Sequence, residues 1–346
     1  MAKSKLTLQQ RRRIEDKRSR SSSTTNKDTL LDTLLASGQL GPERRGTVVT
    51  RYSNQADVLP DDLPDEPPTD APPQSRLRRC HFRAHLRSLV TGDKVVWQDG
   101  ESQGVICAVL PRKSLLERPD GRGKIRPVVA NVDTVLIVVA PTPEPYAGLI
   151  DRYLVACEYH QIRAVIVANK MDMDADCVNR VLDIIELYPG IGYEVLSVSA
   201  ESGLAMDALA ACLQDKVSVL VGQSGVGKSS LINALCPAAS AKIGALSDAR
   251  AKGRHTTTTA DLFMLPGGGS IIDSPGIREF GLGHIDQHIL ARGFIEFRPF
   301  LGQCRFRNCH HLNEPDCALR EACTRGEISR IRLDSFLQIR QSLTLQ

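Results

Sequence analysis

The chain of 346 residues is long enough for two or three domains, and its apolar content of 42% is ordinary for a globular protein. Its net charge of +4 is mild, no apolar run is long enough to span a bilayer, and no apolar stretch after Met1 makes a secretory signal. Ten cysteines without such a signal argue against a disulfide framework and for a reducing compartment. We therefore expect a cytoplasmic protein with no membrane contact.

Residues 1–44 predict a basic, disordered tail. Lys and Arg provide eight of the first twenty side chains, against two acidic ones. A tail of this kind is typical of electrostatic attachment to nucleic acid. A solvated tail with no specific partner is the alternative interpretation.

Residues 45–124 predict a small β-barrel domain. Short β-branched and apolar runs favour strands at 46–52, 80–86, 93–98 and 104–110. Such spacing is typical of an OB-fold barrel. The insert at 57–75 is dense in Asp and Pro and predicts a mobile acidic loop, because it holds too few apolar residues for a packed core.

Several basic side chains lie on the predicted barrel strands. They are Arg78, Arg79, His81, Arg83, His85 and Arg87. Basic residues on the face of an OB-like barrel indicate contact with an oligonucleotide, although a solvated strand face has the same composition. The region is therefore a candidate RNA-binding domain.

Residues 125–285 predict an α/β domain, in which strands alternate with helices. The predicted strands are 132–139, 163–168, 194–198, 217–221, 262–265 and 270–272. The predicted helices are 146–160, 175–188 and 203–214. This alternation implies a mostly parallel sheet covered on both faces, with ligands at the carboxyl ends of its strands.

A glycine-rich run, Gly222-Gln-Ser-Gly-Val-Gly-Lys-Ser229, fits the P-loop pattern between a buried strand and a helix. Its backbone N–H groups can surround phosphate oxygens at the helix N-terminus. Lys228 then reaches the β- and γ-phosphates, and the Ser229 hydroxyl binds Mg²⁺. A glycine-rich turn without a ligand is the alternative. The predicted phosphate contacts are Gly222, Gln223, Ser224, Gly225, Val226, Gly227, Lys228, Ser229 and Ser230.

The tetrad Asn169-Lys-Met-Asp172 follows the strand that ends at residue 168. The Asp172 carboxylate can accept from N1–H and the exocyclic amine of guanine, whereas adenine presents an acceptor at N1 and no amine at C2. The tetrad therefore selects guanine. We expect Asn169 to tie this loop to the phosphate loop and the stem of Lys170 to lie over the ring, with Met171 beside it.

Two further loops follow strands at the same predicted edge. Ser199 and Ala200 offer backbone N–H groups to guanine O6. Asp273 opens a D-x-x-G run, in which its carboxylate holds Mg²⁺ through water and the Gly276 N–H senses the γ-phosphate.

A run of threonines follows His255 and predicts a switch that closes on Mg²⁺ and the γ-phosphate, for which we select Thr257. A polar surface loop is the alternative for this run. The predicted Mg²⁺ ligands are thus Ser229, Thr257 and Asp273.

The residue after D-x-x-G bears on hydrolysis. In many GTPases a glutamine there orients the attacking water, and this chain has Ile277. We therefore expect slow intrinsic hydrolysis, with Lys228 and Thr257 at the γ-phosphate. His255 is the candidate polar group that replaces the glutamine, and a structural histidine is its alternative.

Cysteine and histidine crowd together in residues 286–346. The spacing Cys304-x₄-Cys309-x-His311-x₅-Cys317 offers three thiolates and an imidazole, which is a structural zinc set. His310 and Cys323 are rivals for ligand places. A closed site of this kind stabilises a small domain and takes no part in chemistry.

Positive charge surrounds these cysteines and indicates contact with RNA phosphates. It comes from Arg305, Arg307, Arg320 and Arg325. Residues 328–343 predict an amphipathic helix at the end of the chain.

The base-reading tetrad precedes the phosphate and switch motifs, which is a rotated order. A parallel sheet tolerates this rotation, because the pocket needs the loops together in space. With these motifs in this order, the chain resembles the RsgA/YjeQ family of circularly permuted GTPases from about residue 45 to the C-terminus. The resemblance implies an OB-fold domain, a central permuted P-loop GTPase domain and a small helical zinc-binding domain, with His311 and Cys317 among the ligands.

The resemblance also implies binding to the small (30S) ribosomal subunit and its 16S rRNA late in maturation, with hydrolysis of GTP to GDP and phosphate stimulated by the subunit. The expected cofactors are GTP or GDP, Mg²⁺ and one structural Zn²⁺. Because the second switch motif leads directly into the zinc domain, we expect the GTP state to control RNA binding and release. We expect a monomer.

Overall fold

The structure is a computed structural model of the chain. It describes residues 40–62, 76–83, 86, 88–120, 123–237, 260–274 and 287–344. Most of the predicted basic tail and of the Asp/Pro insert lies outside the described residues, as do His85, Arg87, His255, Thr257 and Gly276. The chain divides into two compact units, Met1–Leu89 with Lys94–Pro111, and Val90–Asp93 with Arg112–Gln346.

The first unit contains a closed β-barrel. Its described strands are β1 (Glu43–Arg51), β2 (Gln55–Pro60), β3 (Arg78–Phe82), β4 (Lys94–Gln98) and β5 (Gly104–Val109). β1 pairs antiparallel with β2 and β4, β2 pairs antiparallel with β3, β4 pairs antiparallel with β5, and β3 runs parallel to β5. This circuit leaves no edge strand and fits the predicted OB-fold. Trp97 is fully buried at the centre of the barrel core.

The prediction of a mobile loop starting at residue 57 was wrong for its first residues, which belong to β2. Ala56 and Val58 point into the barrel core, which gives the strand its apolar face. Asp57, on the other face, accepts from Arg79 Nε at 2.5 Å and from the Tyr52 hydroxyl at 3.0 Å. Arg79 thus holds Asp57 in an ordered position, and the composition of the insert did not indicate this pairing.

The second unit contains a six-stranded sheet in its described part, in the order β10-β9-β8-β11-β13-β12. The strands are β8 (Thr134–Val139), β9 (Arg163–Ala168), β10 (Glu194–Ser197), β11 (Val217–Val221), β12 (Asp261–Met264) and β13 (Ser270–Asp273). All are parallel to their neighbours except β12, which runs antiparallel to β13. Every residue of β8 is buried, as expected for a central strand covered on both faces.

These strands confirm the predicted alternation, and those at 163–168 and 217–221 are confirmed at both ends. The antiparallel hairpin of β6 (Leu115–Pro119) and β7 (Ile125–Ala130) was not predicted. Four helices follow the strands of the sheet: α1 (Ala147–His160), α2 (Ala175–Ile185), α3 (Leu187–Ile191) and α4 (Met206–Leu213). The predicted helix at 175–188 is thus divided, with Pro189 lying in the shorter second piece.

Helix α5 (Lys228–Leu235) follows β11. The C-terminal part of the unit is helical, with α6 (Gln287–Arg292), a 3₁₀ helix (Ile295–Phe300), α7 (Ala318–Thr324) and α8 (Arg330–Thr344). Phe294, Phe297 and Phe336 are buried together at its centre, with ring centroids 4.8 to 5.6 Å apart. Among the described residues, no helix combines the length and the apolar character that crossing a membrane requires.

Candidate functional site

The P-loop joins β11 to α5 at the carboxyl end of a central strand. Gly222, Gly225 and Gly227 have φ angles of 138°, 88° and 94°, which L side chains rarely adopt. A Cβ at Gly227 would lie 2.2 Å from the Asn169 amide nitrogen, and one at Gly222 would lie 2.2 Å from the Val138 carbonyl oxygen. Glycine is therefore needed at both positions for the loop to pack against its neighbours.

Lys228 is buried at the start of α5, and its ammonium group lies against the loop. Nζ donates to the carbonyl oxygens of Gly222 at 2.8 Å and Gln223 at 2.5 Å. Ser229 and Ser230 follow on the exposed side of the same helix end. A cation, two hydroxyls and a helix N-terminus together favour the binding of an anion such as a phosphate group.

Asn169 joins three loops of the site. Its side chain is 1% exposed, and Nδ2 donates to the carbonyl oxygen of Val226 in the P-loop at 3.0 Å. Its Oδ1 accepts from the backbone N–H of Ala200 at 3.1 Å. The base tetrad, the phosphate loop and the Ser199–Ala200 loop therefore meet at one edge of the sheet, and the link from Asn169 to the phosphate loop is the one that the motif predicts.

Lys170 lies beside the P-loop and contacts a loop to which the sequence assigned no role. Nζ donates to Gly225 O at 2.6 Å and to Thr142 O at 3.0 Å, which lies between β8 and α1. A Cβ at Gly225 would lie 3.6 Å from Pro143 of that same loop. The Thr-Pro sequence carries no signal for nucleotide chemistry, because the contact uses a backbone carbonyl.

The groups predicted to meet the base differ in exposure. Asp172 is exposed at the end of the tetrad, and the half-buried Met171 is fixed by its backbone N–H, which donates to Val198 O at 3.1 Å. Ser199 is buried, and its Oγ accepts from the N–H groups of the two residues that follow Ala200. The N–H of Ala200 donates to Asn169, so its contact with guanine O6 stays a prediction.

Asp273 ends β13, the strand next to β11. The register pairs Val219 with Ile272, which places Asp273 at the same edge of the sheet as the P-loop. The carboxylate of Asp273 and the hydroxyl of Ser229 are oxygen donors, the type that Mg²⁺ prefers, so the donors present fit this ion. The third predicted ligand, Thr257, and the γ-phosphate sensor Gly276 lie outside the described residues.

Four candidate metal ligands converge in the C-terminal region. The Sγ atoms of Cys304, Cys309 and Cys317 lie 3.5, 3.6 and 3.4 Å from His311 Nδ1, and the four donor atoms lie within 4.8 Å of one another. In a tetrahedral zinc site the bond lengths place sulfur and nitrogen about 3.5 Å apart. The donor set therefore fits Zn²⁺, and neither rival, His310 nor Cys323, belongs to the described cluster.

Burial affects the ionisation of two of these ligands. Burial raises the pKa of Cys309 to about 12 and raises that of Cys317, so thiolates here need a neighbouring positive charge. Glu314 shapes the loop between the ligands, since it accepts from the backbone N–H groups of His310 and Leu312 at 2.8 Å. Burial opposes ionisation of Glu314, but these hydrogen bonds lower its pKa.

Comparison with known proteins agrees with this geometry. A family model described as RsgA GTPase matches residues 109–283. A protein of Chromohalobacter salexigens named small ribosomal subunit biogenesis GTPase RsgA is 47% identical over 346 residues, covering 99% of each chain.

Two solved structures are also similar. The crystal structure of YjeQ from Thermotoga maritima has a TM-score of 0.70 and 33% identity, covering 88% of this chain and 100% of that one. The structure of YloQ, described as a circularly permuted GTPase, has a TM-score of 0.66 and 28% identity, covering 88% of this chain and 96% of that one. The chain therefore belongs to the RsgA GTPase family and is a GTP hydrolase with a circularly permuted order of motifs.

Proposed function

We propose that this GTPase acts late in the maturation of the small (30S) ribosomal subunit, which it binds through 16S rRNA in the cytoplasm. The relative named above is a small ribosomal subunit biogenesis GTPase and covers nearly the whole chain. In this proposal the subunit stimulates hydrolysis, and the nucleotide state controls binding and release.

The observation that carries the nucleotide assignment is the position of Asn169. It is buried and hydrogen-bonded to both the phosphate loop and the Ser199–Ala200 loop. A nucleotide is bound both at its base and at its phosphates. The Asn169 amide fixes the distance between the loop for the base and the loop for the phosphates. We therefore assign the base to the side of Asp172 and the phosphates to the side of Lys228.

Selection of guanine follows from the chemistry of Asp172. An ionised carboxylate only accepts hydrogen bonds, and guanine offers it two adjacent donors, N1–H and the C2 amine. A base without those donors forms neither of the two hydrogen bonds with the carboxylate, which lowers its affinity relative to guanine. Met171 and Lys170 flank this residue along the tetrad and complete the proposed base contact.

Hydrolysis in this proposal depends on charge stabilisation by groups fixed before the reaction. Lys228 leaves its carbonyl partners in the P-loop for the β- and γ-phosphate oxygens, and the backbone N–H groups from Gly222 to Ser230 hold the phosphates. Ser229, Asp273 and Thr257 would hold Mg²⁺, which would supply positive charge to the β- and γ-phosphates. Since Ile277 cannot orient water, His255 is proposed to do so, and the Gly276 N–H to sense the γ-phosphate.

RNA contact is proposed for the barrel, the basic tail and the zinc region. The barrel face is partly neutralised, since Arg79 pairs with Asp57 at 2.5 Å and Arg78 with Asp99 at 3.5 Å. In the zinc region Arg305 pairs with Asp316 at 2.8 Å, whereas Arg307 forms no ion pair with any described acidic residue. RNA phosphates would compete with these carboxylates for the arginines, so the attachment should weaken as the salt concentration rises.

The test is GTP turnover with and without isolated small ribosomal subunits, using the zinc-loaded full chain. Turnover that rises by orders of magnitude with subunits supports the proposal, and equal turnover would refute the ribosomal part. His255→Ala, measured in the same assay, tests the proposed water-orienting residue, because an unchanged stimulated rate removes it from the mechanism. Equal subunit affinity with GDP and with a GTP analogue would refute nucleotide control of binding.

A further inference from the structure

The loop between β8 and α1, residues 140–146, forms one wall of the nucleotide site. The Thr142 carbonyl accepts from Lys170 of the base tetrad, and Pro143 lies beside Gly225 of the P-loop. Helix α1 begins directly after this loop, at Ala147. The position of α1 therefore sets the position of the 140–146 loop, which contacts both the base tetrad and the P-loop.

Helix α1 also approaches the phosphate loop directly through Tyr153. This side chain is 5% exposed. Burial raises the pKa of its hydroxyl, and a hydrogen bond from the backbone N–H of Gly222 acts in the opposite direction. The Tyr153 oxygen thus lies at the first glycine of the P-loop, at the point where β11 ends.

A buried ion pair holds α1 against the C-terminal helix. Asp151 and Arg332 are both 0% exposed, and Arg332 Nη1 donates to Asp151 Oδ1. The same oxygen accepts from the Tyr188 hydroxyl at 2.7 Å. Arg332 also donates through Nε and Nη2 to the carboxylate of Glu296, at 2.6 and 3.0 Å. One guanidinium therefore joins α1, the 3₁₀ helix and α8.

Stability alone does not account for this arrangement. A buried ion pair gains little over a well-packed apolar pair, since removing the charges from water opposes their attraction. Its distinctive property is direction, because the planar guanidinium of Arg332 donates to carboxylates only in fixed positions. Near the other end of α8, Ser342 accepts from Arg152 Nη2 at 2.5 Å. Asp151 and Arg152, which are neighbours on α1, are thus hydrogen-bonded to residues near the two ends of α8. These contacts fix the rotation of α1 about its own axis and its position along that axis relative to α8.

We propose that Arg332 and Asp151 are positioning residues for the nucleotide site, which act through α1 on the residue 140–146 loop and on Gly222. The inference rests on the proposed binding of guanine nucleotide by this pocket. Arg340 of the same helix donates to the His310 carbonyl oxygen, so α8 also contacts the loop between the metal ligands. The affinity for nucleotide should then depend on a helix that lies outside the motifs predicted to contact the nucleotide.

The test measures the dissociation constant of a fluorescent GDP analogue, together with the thermal midpoint and zinc content, for the full chain. Arg332→Met keeps an unbranched apolar stem and removes the guanidinium group, and Tyr153→Phe removes one hydroxyl. We expect each to weaken GDP binding about three- to tenfold, at a temperature where the protein is folded. Arg330→Met and Tyr193→Phe are the matched controls and should bind as the unmodified chain does.

The controls are close in kind to the test variants. Arg330 lies on α8 in an exposed pair with Asp334, and the Tyr193 hydroxyl donates to Glu158 of α1 at 3.4 Å, away from the P-loop. Unchanged GDP affinity in folded Arg332→Met and Tyr153→Phe proteins would overturn the inference, even with lowered thermal midpoints. If Arg332→Met fails to fold, the isosteric Asp151→Asn decides by the same criterion. Absence of GDP binding by the unmodified chain would instead refute the proposed function.

Discussion

Replacement of Asn169 by alanine should separate nucleotide binding from folding. The change removes two hydrogen bonds, from Nδ2 to Val226 O at 3.0 Å and from Ala200 N–H to Oδ1 at 3.1 Å. Val226 is 1% exposed, so its carbonyl loses a partner that water does not readily replace. At about 1 to 1.5 kcal/mol for each bond, the loops lose about 2 to 3 kcal/mol of mutual fixation. If binding must restore that order, GDP affinity falls about 30- to 150-fold.

The assay is titration of a fluorescent GDP analogue, with thermal unfolding measured in parallel. The chain offers a matched control in Asn131, which is 8% exposed and also bonds on both sides, to Gly92 O at 2.9 Å and from Lys113 N–H at 2.8 Å. Its φ of 57° favours asparagine over alanine, so Asn131→Ala should cost at least as much stability. It should nevertheless leave GDP affinity unchanged. The reasoning fails if Asn169→Ala binds GDP normally, or if both variants lose affinity to the same extent.

Two further predictions concern the phosphate loop and the metal centre. Gly227→Ala adds a Cβ 2.2 Å from the Asn169 amide in a left-handed backbone conformation, whereas Gly190→Ala meets nothing within 4 Å. GDP titration should therefore show a loss of more than about tenfold for the first variant and none for the second. In metal analysis the full chain should contain one equivalent of zinc. Cys317→Ser should lose that zinc and lower the thermal midpoint, whereas Cys323→Ser should retain the zinc and leave the thermal midpoint unchanged. Zinc retained by Cys317→Ser would contradict the ligand assignment.

The main elements of the sheet could be predicted from sequence because each has a strong local signal. Strands β9 and β11 are continuous apolar runs, and buried parallel strands require this composition. The meeting of the nucleotide loops could be predicted as well, because loops that follow parallel strands lie at one edge of the sheet. Strand β2 was missed because Asp57 and Pro60 favour a loop locally, and its partners Tyr52 and Arg79 are distant in sequence.

Motif patterns located Asn169 and Lys228 in the candidate site but did not indicate the backbone contact of Thr142. Asn169 and Lys228 were found because their side chains recur at fixed spacing in P-loop proteins. Thr142 contributes a carbonyl oxygen, which every residue has, so no pattern indicates it. Likewise, an arginine in an amphipathic helix normally faces water, and only the packing of α8 shows that Arg332 is enclosed.

Recognition of guanine by Asp172 underlies the proposed function, and exchange of the residue's hydrogen-bonding pattern provides the sharpest test of it. Asp172→Asn replaces one acceptor by an amide N–H₂, which opposes the C2 amine of guanine and matches the C2 carbonyl of xanthine. We expect GDP affinity to fall about 100-fold or more and xanthosine diphosphate to become the tighter ligand. An Asp172→Asn protein that binds GDP as the unmodified chain does, with no gain for xanthosine diphosphate, would contradict it.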